Sequence, residues 1–271
     1  MKKGRPLLRR MPIAFVLIIN VSVSVSTLLA ETSAMEQHWA PNDRNRPVPA
    51  VITPGTSSSQ KQAGFPPSDA VVLFNGKDLS QWEAVRGGGL AKWTVGKGYF
   101  AVAPGGGDIQ TKQLFGDCQI HLEWATPNPP KGKDQDRGNS GVFLHGLYEV
   151  QVLDSYHSVT YADGQASAVY GQYPPLVNAA RLPGQWQTYD IVLHGARFDA
   201  GGHLLRPANV TVIYNGVLVQ DHVNIKGPNV VRVGAPYEPV PEKLPLRLQD
   251  HHHPVHYRDI WIREIPAEPL P

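Results

Sequence analysis

Short apolar or alternating runs, separated by glycine, proline, asparagine and aspartate, recur along the chain from about Ser68 onward. Strand side chains alternate between two faces, so runs of this length and period indicate strands. Asn215-Gly216 lies between two such runs, and this dipeptide is the strongest local signal for a β-hairpin. Almost no stretch has the period of an amphipathic helix. The sequence therefore predicts an all-β sandwich or barrel.

The first 30 residues have the layout of a secretory signal peptide. Five basic residues precede the uncharged apolar run 12–30, and Ala30 or Ala34 suits the position before a cleavage site. The apolar run is long for a signal peptide, so an uncleaved N-terminal membrane anchor is the alternative. We expect a periplasmic or secreted protein with no membrane span after signal cleavage.

Composition divides the rest of the chain. Residues 31–67 are rich in proline, serine, threonine, glutamine and asparagine, which predicts a flexible leader before a domain at 68–266 and a short tail at 267–271. Without the signal peptide, 20 basic residues face 23 acidic ones, a formal net charge of −3, which argues against nucleic acid as a partner. Cys118 is the only cysteine, so the core must hold the fold without an intramolecular disulfide.

Several predicted strands combine an apolar face with a face of acids, amides, histidine and arginine, where lysine is nearly absent. A sheet that holds a polar ligand would have this pattern, and a plain solvated face is the alternative. The polar positions of the clearest examples are Gln119, His121 and Glu123 in 118–124, Glu149 and Gln151 in 148–153, and Arg247 and Gln249 in 246–249, continuing towards His251.

Glu149 and Asp154 are the carboxyls best placed for acid/base chemistry on a sugar. Their strand resembles the E-x-D-x-x-E strand of laminarinase-type glycosidases, with Gln151 in place of the middle acid. An amide can hold a hydroxyl but cannot act as nucleophile or proton carrier, which weakens the hypothesis of an ordinary retaining glycosidase. A regular strand would aim Asp154 to the opposite face from Gln151, unless a bulge or the strand end brings it back. The structural alternative for Glu149 is an ion pair with Arg247 or His121.

Three further groups could bind or react. His251 begins a run of three histidines that lacks zinc-type spacing, so we favour it as an acid/base or ligand-binding group over a metal ligand. Arg137 and Asn139 occupy a glycine-bounded turn that could hold sugar hydroxyls or an oxyanion. Lys112 is a similar case. Local turn chemistry is an equally good explanation for such residues.

Six blocks of the sequence resemble, in the same order, the bacterial 3-keto-disaccharide hydrolase domain family. They are LFNGKDLSQWEAV, DIQTKQLFGDCQIHLEW, RGNSGVFLHGLYEVQVLDSY, YGQYPPLVNAARLPGQWQTYDIVLHGARFD, VTVIYNGVLVQDHVNIKGP and LRLQDHHHPVHYRDIWIREI. The resemblance covers about residues 68–266. It implies a concanavalin-like jelly roll of two antiparallel sheets, related to laminarinases and legume lectins.

The resemblance also implies an activity, the cleavage of glycosides whose sugar is oxidised at C3. A C3 ketone acidifies the C2 proton, so elimination needs a base, an acid and a group that holds the enolate. By position we expect Glu149 as base and His251 or Asp154 as acid. The expected substrate-binding residues are Lys112, His121, Glu123, Arg137, Asn139, Gln151, Arg247 and Gln249.

Cofactor and partner expectations follow from this chemistry. A divalent cation could stabilise the enolate, but we assign no residue to a metal and expect no certain cofactor. The chain has no nucleotide-binding signature, so we expect a separate sugar 3-dehydrogenase to supply the ketone. A non-catalytic carbohydrate-binding module is the main alternative function, since jelly rolls of this shape often only bind sugar.

Overall fold

The computed structural model describes Met1, residues 39–229 and residues 234–267. The predicted signal peptide, apart from Met1, therefore lies outside the described residues, as do 31–38 and 268–271. The chain divides into two units, Met1–Ala50 and Val51–Pro271. In the first unit, the Asp43 N–H donates to the Ala40 carbonyl at 3.1 Å and closes a turn. Across the described part of the chain, no helix has the length and apolarity that a membrane span requires.

Among the described residues of the second unit, the regular secondary structure is β-strand apart from a short 3-10 helix at Ala162–Gly164. The strands are β1 (Val71–Phe74), β2 (Trp82–Ala84), β3 (Thr94–Val95), β4 (Phe100–Ala101), β5 (Ile109–Thr111), β6 (Cys118–Ala125), β7 (Ser140–Leu144), β8 (Tyr148–Val152), β9 (Gln187–His194), β10 (Arg197–Phe198), β11 (Leu204–Arg206), β12 (Asn209–Tyr214), β13 (Val217–Asn224), β14 (Arg247–Leu248) and β15 (His256–Glu264).

Thirteen of these strands form two antiparallel sheets that enclose one hydrophobic core, and β10 and β11 pair with each other as a separate two-stranded sheet. The larger sheet has eight strands in the order β13-β12-β9-β6-β15-β4-β3, with β1 also paired to β15, and the smaller has the order β2-β5-β14-β7-β8. Alternation explains the packing: Ile120 and Leu122 of β6 are buried in the same core cluster as Val142 and Val150 of the smaller sheet. The predicted all-β jelly-roll sandwich is confirmed.

The Asn-Gly signal marks a true hairpin between β12 and β13. Asn215 and Gly216 have φ of 52° and 81°, and Tyr214 pairs with Val217 directly across the turn. Two successive positive φ values are what a type I′ turn demands, and its twist matches that of the strands. The two turn residues therefore set the register in which β12 and β13 pair at the hairpin.

Part of the predicted leader contacts the larger sheet. The Gln60 side chain donates from Nε2 to the Trp186 carbonyl at 2.9 Å and accepts at Oε1 from the Trp186 N–H at 2.7 Å. Ser59 accepts a hydrogen bond from Arg258 of β15 through its carbonyl. These contacts attach the segment around residue 60 to the sandwich.

Candidate active site

A row of side chains crosses the face of the smaller sheet that points away from the core. From β2 to β8, the residues directly opposite one another are Glu83, Gln110, Arg247, Phe143 and Glu149. Opposed residues of antiparallel strands point to the same face, so this row forms one continuous strip. The neighbouring positions lie in the core: Ile109, Leu248, Val142 and Val150.

Glu149 is the most unusual member of this row. Only 6% of it is exposed, and its carboxyl accepts no hydrogen bond from any residue that the structure describes. Gly141 on β7 leaves the room it needs, since a Cβ at that position would lie 2.5 Å from Glu149 Oε1. Burial raises the pKa of Glu149 to about 8; the positive charge of Arg247 opposes this shift and the negative charge of Asp108 adds to it. Such a group can give or take a proton near neutral pH.

Arg247 places a cation on the same row. Its Nε and Nη2 lie 2.7 and 2.5 Å from Asp108 Oδ2, and its guanidinium carbon sits 4.7 Å from the centre of the Phe143 ring. A cavity of about 700 Å³ opens beside Arg247, Asp108 and Asp250. Glu149 is not among the residues that line this cavity. Two strand spacings, about 10 Å, separate the backbones of Arg247 and Glu149.

The other side of Glu149 is closed by a segment that continues the sheet beyond β8. Tyr170 donates its N–H to the Glu149 carbonyl at 3.1 Å. The side chain of Asn229 bridges the same two residues: Oδ1 accepts from the Glu149 N–H at 2.9 Å, and Nδ2 donates to the Tyr170 carbonyl at 3.1 Å. Glu149 therefore has a rigid backbone on both sides.

Gln151 and Asn139 lie near this row but are held by protein contacts. Gln151 donates from Nε2 to Gln135 Oε1 at 2.9 Å, and its Oε1 accepts from the Val152 N–H at 3.0 Å. Asn139 donates from Nδ2 to the Gln135 carbonyl at 2.8 Å, while its buried Oδ1 has no partner within the described ranges. Gln151 would have to exchange partners before it could hold a sugar hydroxyl.

Asp154 lies two residues beyond the end of β8. Its Oδ2 pairs with Arg137 Nε at 2.9 Å, and Arg137 also donates to the Tyr156 carbonyl at 3.2 Å. Burial raises the pKa of Asp154, and the Arg137 charge opposes that shift. Five residues along an extended chain span roughly 16 Å, so the structure does not bring Asp154 to Glu149. Asp154 instead lines a separate cavity of about 370 Å³ with His253.

His251, Gln249 and Lys112 lie around the edges of the smaller sheet. The His251 ring stacks on His253 with centres 5.9 Å apart, and burial lowers the pKa of His251. The Gln249 N–H continues the pairing with β7 by donating to the Gly141 carbonyl at 3.0 Å. Lys112 donates from Nζ to the Ser80 carbonyl at 2.7 Å. Of these three, the contacts place only Gln249 directly beside the row that holds Glu149.

The structure places His121 and Glu123 on β6 of the larger sheet, so the expectation that they share a face with Glu149 is wrong. Glu123 Oε2 lies 2.5 Å from Arg258 Nε, and His121 Nδ1 lies 2.7 Å from Asp190 Oδ1. Burial lowers the pKa of His121, but Asp190 and Asp259 outweigh it and raise that pKa to about 9. Alternation reveals which side chains share a face of one strand, but it does not say which sheet the strand joins.

His121, Glu123 and Asp259 form the one group of potential metal ligands found among the described residues, with ligand atoms within 4.8 Å of one another. The contacts of this group fit a metal poorly. Arg258 already neutralises Glu123, and a histidine with a pKa of about 9 is protonated at neutral pH, whereas metal binding needs the neutral ring. The group also lies on the sheet that does not carry Glu149.

The comparisons with known proteins agree with this fold. The family model described as "3-keto-alpha-glucoside-1,2-lyase-like domain" matches residues 69–263. The chain belongs to this family. A crystal structure of a candidate glycosyl hydrolase from Parabacteroides distasonis ATCC 8503 is 44% identical, with a TM-score of 0.75, over 86% of this chain and 97% of that one.

Two further crystal structures from the same organism, also of candidate glycosyl hydrolases, share the fold. They are 19% and 18% identical, with TM-scores of 0.54 and 0.53. The matches cover 73% and 72% of this chain and 94% and 99% of those chains. No curated protein matches this chain.

The sequence interpretation missed three residues around Glu149: Asp108, Tyr170 and Asn229. Asp108 is only two residues from Gln110 on β5, so the alternation of that strand could have found it. Tyr170 and Asn229 lie outside the regular strands, and no periodic signal marks them. They reach Glu149 only because the chain returns to the edge of β8.

Proposed function

We propose that this protein cleaves glycosides oxidised at C3 of the sugar, with Glu149 as the base. The observation that carries the proposal is a buried carboxyl on the outward face of the smaller sheet that accepts no hydrogen bond within the described ranges and whose pKa burial raises to about 8. A stable fold gains nothing from an unpaired buried carboxyl, so perturbed groups of this kind mark functional sites. The family match and the 44% identical candidate glycosyl hydrolase support a carbohydrate substrate.

The proposed reaction is elimination followed by addition of water. The Glu149 carboxylate removes the C2 proton, and the electrons of that C–H bond form an enolate with the C3 ketone. When the enolate collapses, the C1–O bond breaks, the alcohol departs and a C1–C2 double bond remains. Water then adds, with hydroxyl at C1 and a proton at C2, so the net reaction is hydrolysis. We assign Arg247, which is paired with Asp108 on the same row, to donate a hydrogen bond to the enolate oxygen.

An ordinary glycosidase would need a second free carboxyl near Glu149, about 5–10 Å away. Gln151 occupies the next outward position on β8 and is an amide. Asp108 is bound to Arg247, and Asp154 is bound to Arg137 at the far end of the strand. The contacts in the described structure therefore favour chemistry that needs only one carboxylate.

The setting of this reaction is also proposed. The N-terminal sequence favours export to the periplasm or beyond, and a separate sugar 3-dehydrogenase would supply the ketone. A divalent cation is the other group that would stabilise the enolate, and cleavage with and without a chelator separates its contribution from that of Arg247.

The test compares a 3-keto-disaccharide with its unoxidised parent, with and without chelator. We expect only the keto sugar to be cleaved, and Glu149→Gln to abolish cleavage. Glu242→Gln is the matched control, because Glu242 is exposed. Binding of either sugar without cleavage would instead identify a carbohydrate-binding module, and cleavage of the parent sugar would identify an ordinary glycosidase.

A further inference from the structure

Tyr170 stands directly opposite Glu149 across the edge of β8. Val150 and Val169 form an antiparallel bridge, flanked by hydrogen bonds from the Tyr170 N–H to the Glu149 carbonyl and from the Gln151 N–H to the Ala168 carbonyl, at 3.1 and 3.0 Å. This register pairs Glu149 with Tyr170. Val150 and Val169 both belong to the core, so the two residues beside them, Glu149 and Tyr170, both point outward.

The relative positions of Glu149 and Tyr170 are fixed by Asn229. The Asn229 carboxamide takes the place of the second backbone hydrogen bond of this pair. It accepts from the Glu149 N–H and donates to the Tyr170 carbonyl. Cβ atoms of directly opposed residues lie about 5 Å apart. The C2 proton and the C1 leaving oxygen are on adjacent carbons of one sugar ring, so two opposed residues on one face, a glutamate and a tyrosine, are arranged to serve both.

A second tyrosine supports the Tyr170 hydroxyl. Tyr161 Oη lies 2.6 Å from Tyr170 Oη. The Tyr161 ring packs on Gly164, where a Cβ would lie 2.1 Å from its Cε2, and Gln135 anchors that loop by donating to the Gly164 carbonyl at 3.0 Å. Burial and the neighbouring Tyr170 raise the pKa of Tyr161. Tyr161 therefore keeps its proton and can donate it to the Tyr170 oxygen.

We propose that Tyr170 is the acid that protonates the leaving oxygen, and that Tyr161 is a positioning residue that stabilises the phenolate so formed. This assignment rests on the proposed function and replaces Asp154 and His251 in the role of acid. Departure of an alcohol from C1 leaves an alkoxide, which is more basic than a phenolate, so a tyrosine can protonate it.

The proton balance closes over the full reaction. Glu149 gains the C2 proton, and Tyr170 gives its proton to the departing alcohol. Water then takes the place of the alcohol: the Tyr170 phenolate removes a proton as the water oxygen bonds to C1, and protonated Glu149 returns a proton to C2. Both residues end in their starting states, and no oxidant, reductant or other reactant is needed.

The test uses two 3-keto-glucosides that differ in their leaving group. The sugar that leaves from the disaccharide departs through a hydroxyl oxygen, which needs protonation, whereas p-nitrophenolate leaves without it. We expect Tyr170→Phe to lower kcat on the 3-keto-disaccharide by about 100-fold or more and to leave p-nitrophenyl 3-keto-glucoside cleavage within a few-fold of wild type. Tyr161→Phe should show the same selectivity with a smaller loss, while Glu149→Gln should lose both activities.

Tyr173→Phe is the matched control, because the Tyr173 hydroxyl donates to the Asn224 carbonyl and not to Tyr161 or Tyr170. Melting temperatures of all variants establish that they fold. The wild type should cleave both substrates. If Tyr170→Phe then loses activity on both equally, or keeps activity on both, the assignment of Tyr170 is overturned and the proposed function stands. A wild-type protein that cleaves neither 3-keto sugar overturns both proposals.

Discussion

Two buried glutamates, one on each sheet of this sandwich, are in opposite physical states. Glu123 and Glu149 are 1% and 6% exposed, and both point away from the core. Glu123 is neutralised by Arg258 at 2.5 Å, and the Arg258 guanidinium also stacks 4.3 Å from the centre of the Trp186 ring. Glu149 has no such ion pair with any described residue, and burial raises its pKa to about 8.

This difference shows how identical residue types acquire different roles. A buried ion pair uses its carboxylate to satisfy an arginine, so that carboxylate is not available to a ligand. Burial without an ion-pair partner destabilises the ionised form of a carboxyl. The carboxylate is therefore a stronger base and can take a proton from a substrate. From this comparison we expect Glu123 to be a structural residue, and we propose Glu149 as the reactive one.

The largest expected effect is the loss of activity in Glu149→Gln. The variant keeps the shape of the side chain and removes the base, so kcat on a 3-keto-disaccharide should fall roughly 1,000-fold, within the range for general base catalysis. Circular dichroism should show an unchanged fold. Activity within tenfold of wild type would break the comparison, because Glu149 would then be no more reactive than Glu123.

The pH dependence of stability sharpens the comparison without any substrate. The folded-state pKa of Glu149 is raised from 4.5 to about 8, so its bound proton stabilises the fold fully below pH 4.5. That contribution is lost as the pH rises through about 8. Wild type should therefore lose stability relative to Glu149→Gln between pH 5 and pH 9, by at most about 4–5 kcal/mol at 1.36 kcal/mol per pKa unit.

Urea unfolding of both proteins at each pH measures this difference, and all other titrating groups cancel. A free-energy difference that does not change between pH 5 and pH 9 would show that Glu149 titrates normally. Glu242→Gln, at an exposed site, should follow the wild-type curve throughout.

Replacing Glu123 should have the opposite effects to replacing Glu149: stability should fall and activity should be kept. Glu123→Gln leaves Arg258 buried without its carboxylate, which should lower the free energy of unfolding by about 3 kcal/mol. The folded fraction should keep activity within tenfold of wild type, because Glu123 lies on the other sheet from Glu149. Unfolding curves check the loss of stability, and kcat per folded molecule checks that activity is kept. A large loss of kcat in fully folded protein would instead place His121 and Glu123 in the substrate site, as the sequence predicts.

The smallest effect tests the space around Glu149. Gly141→Ala places a Cβ 2.5 Å from Glu149 Oε1 and 2.9 Å from a Phe143 ring carbon, so the carboxyl must move. We expect a destabilisation of about 1–3 kcal/mol from overpacking, together with a fall in kcat. Gly116→Ala is the control, since its Cβ would have no neighbour closer than 3.8 Å. Equal unfolding free energies for the two variants would contradict the tight packing of Glu149.

The sequence predicts the sandwich well because its signals are local. Alternation defines the buried face of each strand, and Asn215-Gly216 defines a hairpin, so no long-range information is needed. Glu149, Arg247 and Gln249 are predicted for the same reason, since the strands that carry them belong to one sheet. The role of these residues as a binding and catalytic set stays a prediction.

The remainder of the site depends on distances that a sequence does not encode. His121 and Glu123 point away from the core, as their alternation predicts, but their strand belongs to the larger sheet and not to the sheet that carries Glu149. Asp154 lies beyond the end of β8, where Arg137 binds it. Tyr170 reaches Glu149 through an irregular segment, and its importance is visible only once the pairing of Val150 with Val169 is known.

The central claim is that the Glu149 carboxylate removes the C2 proton of a 3-keto sugar. Its most direct test is single-turnover cleavage of a 3-keto-disaccharide that carries deuterium at C2, followed across pH. We predict a rate several-fold slower than for the protiated sugar, rising with pH through a midpoint of about 8, the pKa of Glu149. Equal rates for the two sugars at every pH would show that breaking the C2–H bond does not limit the turnover and would contradict the account.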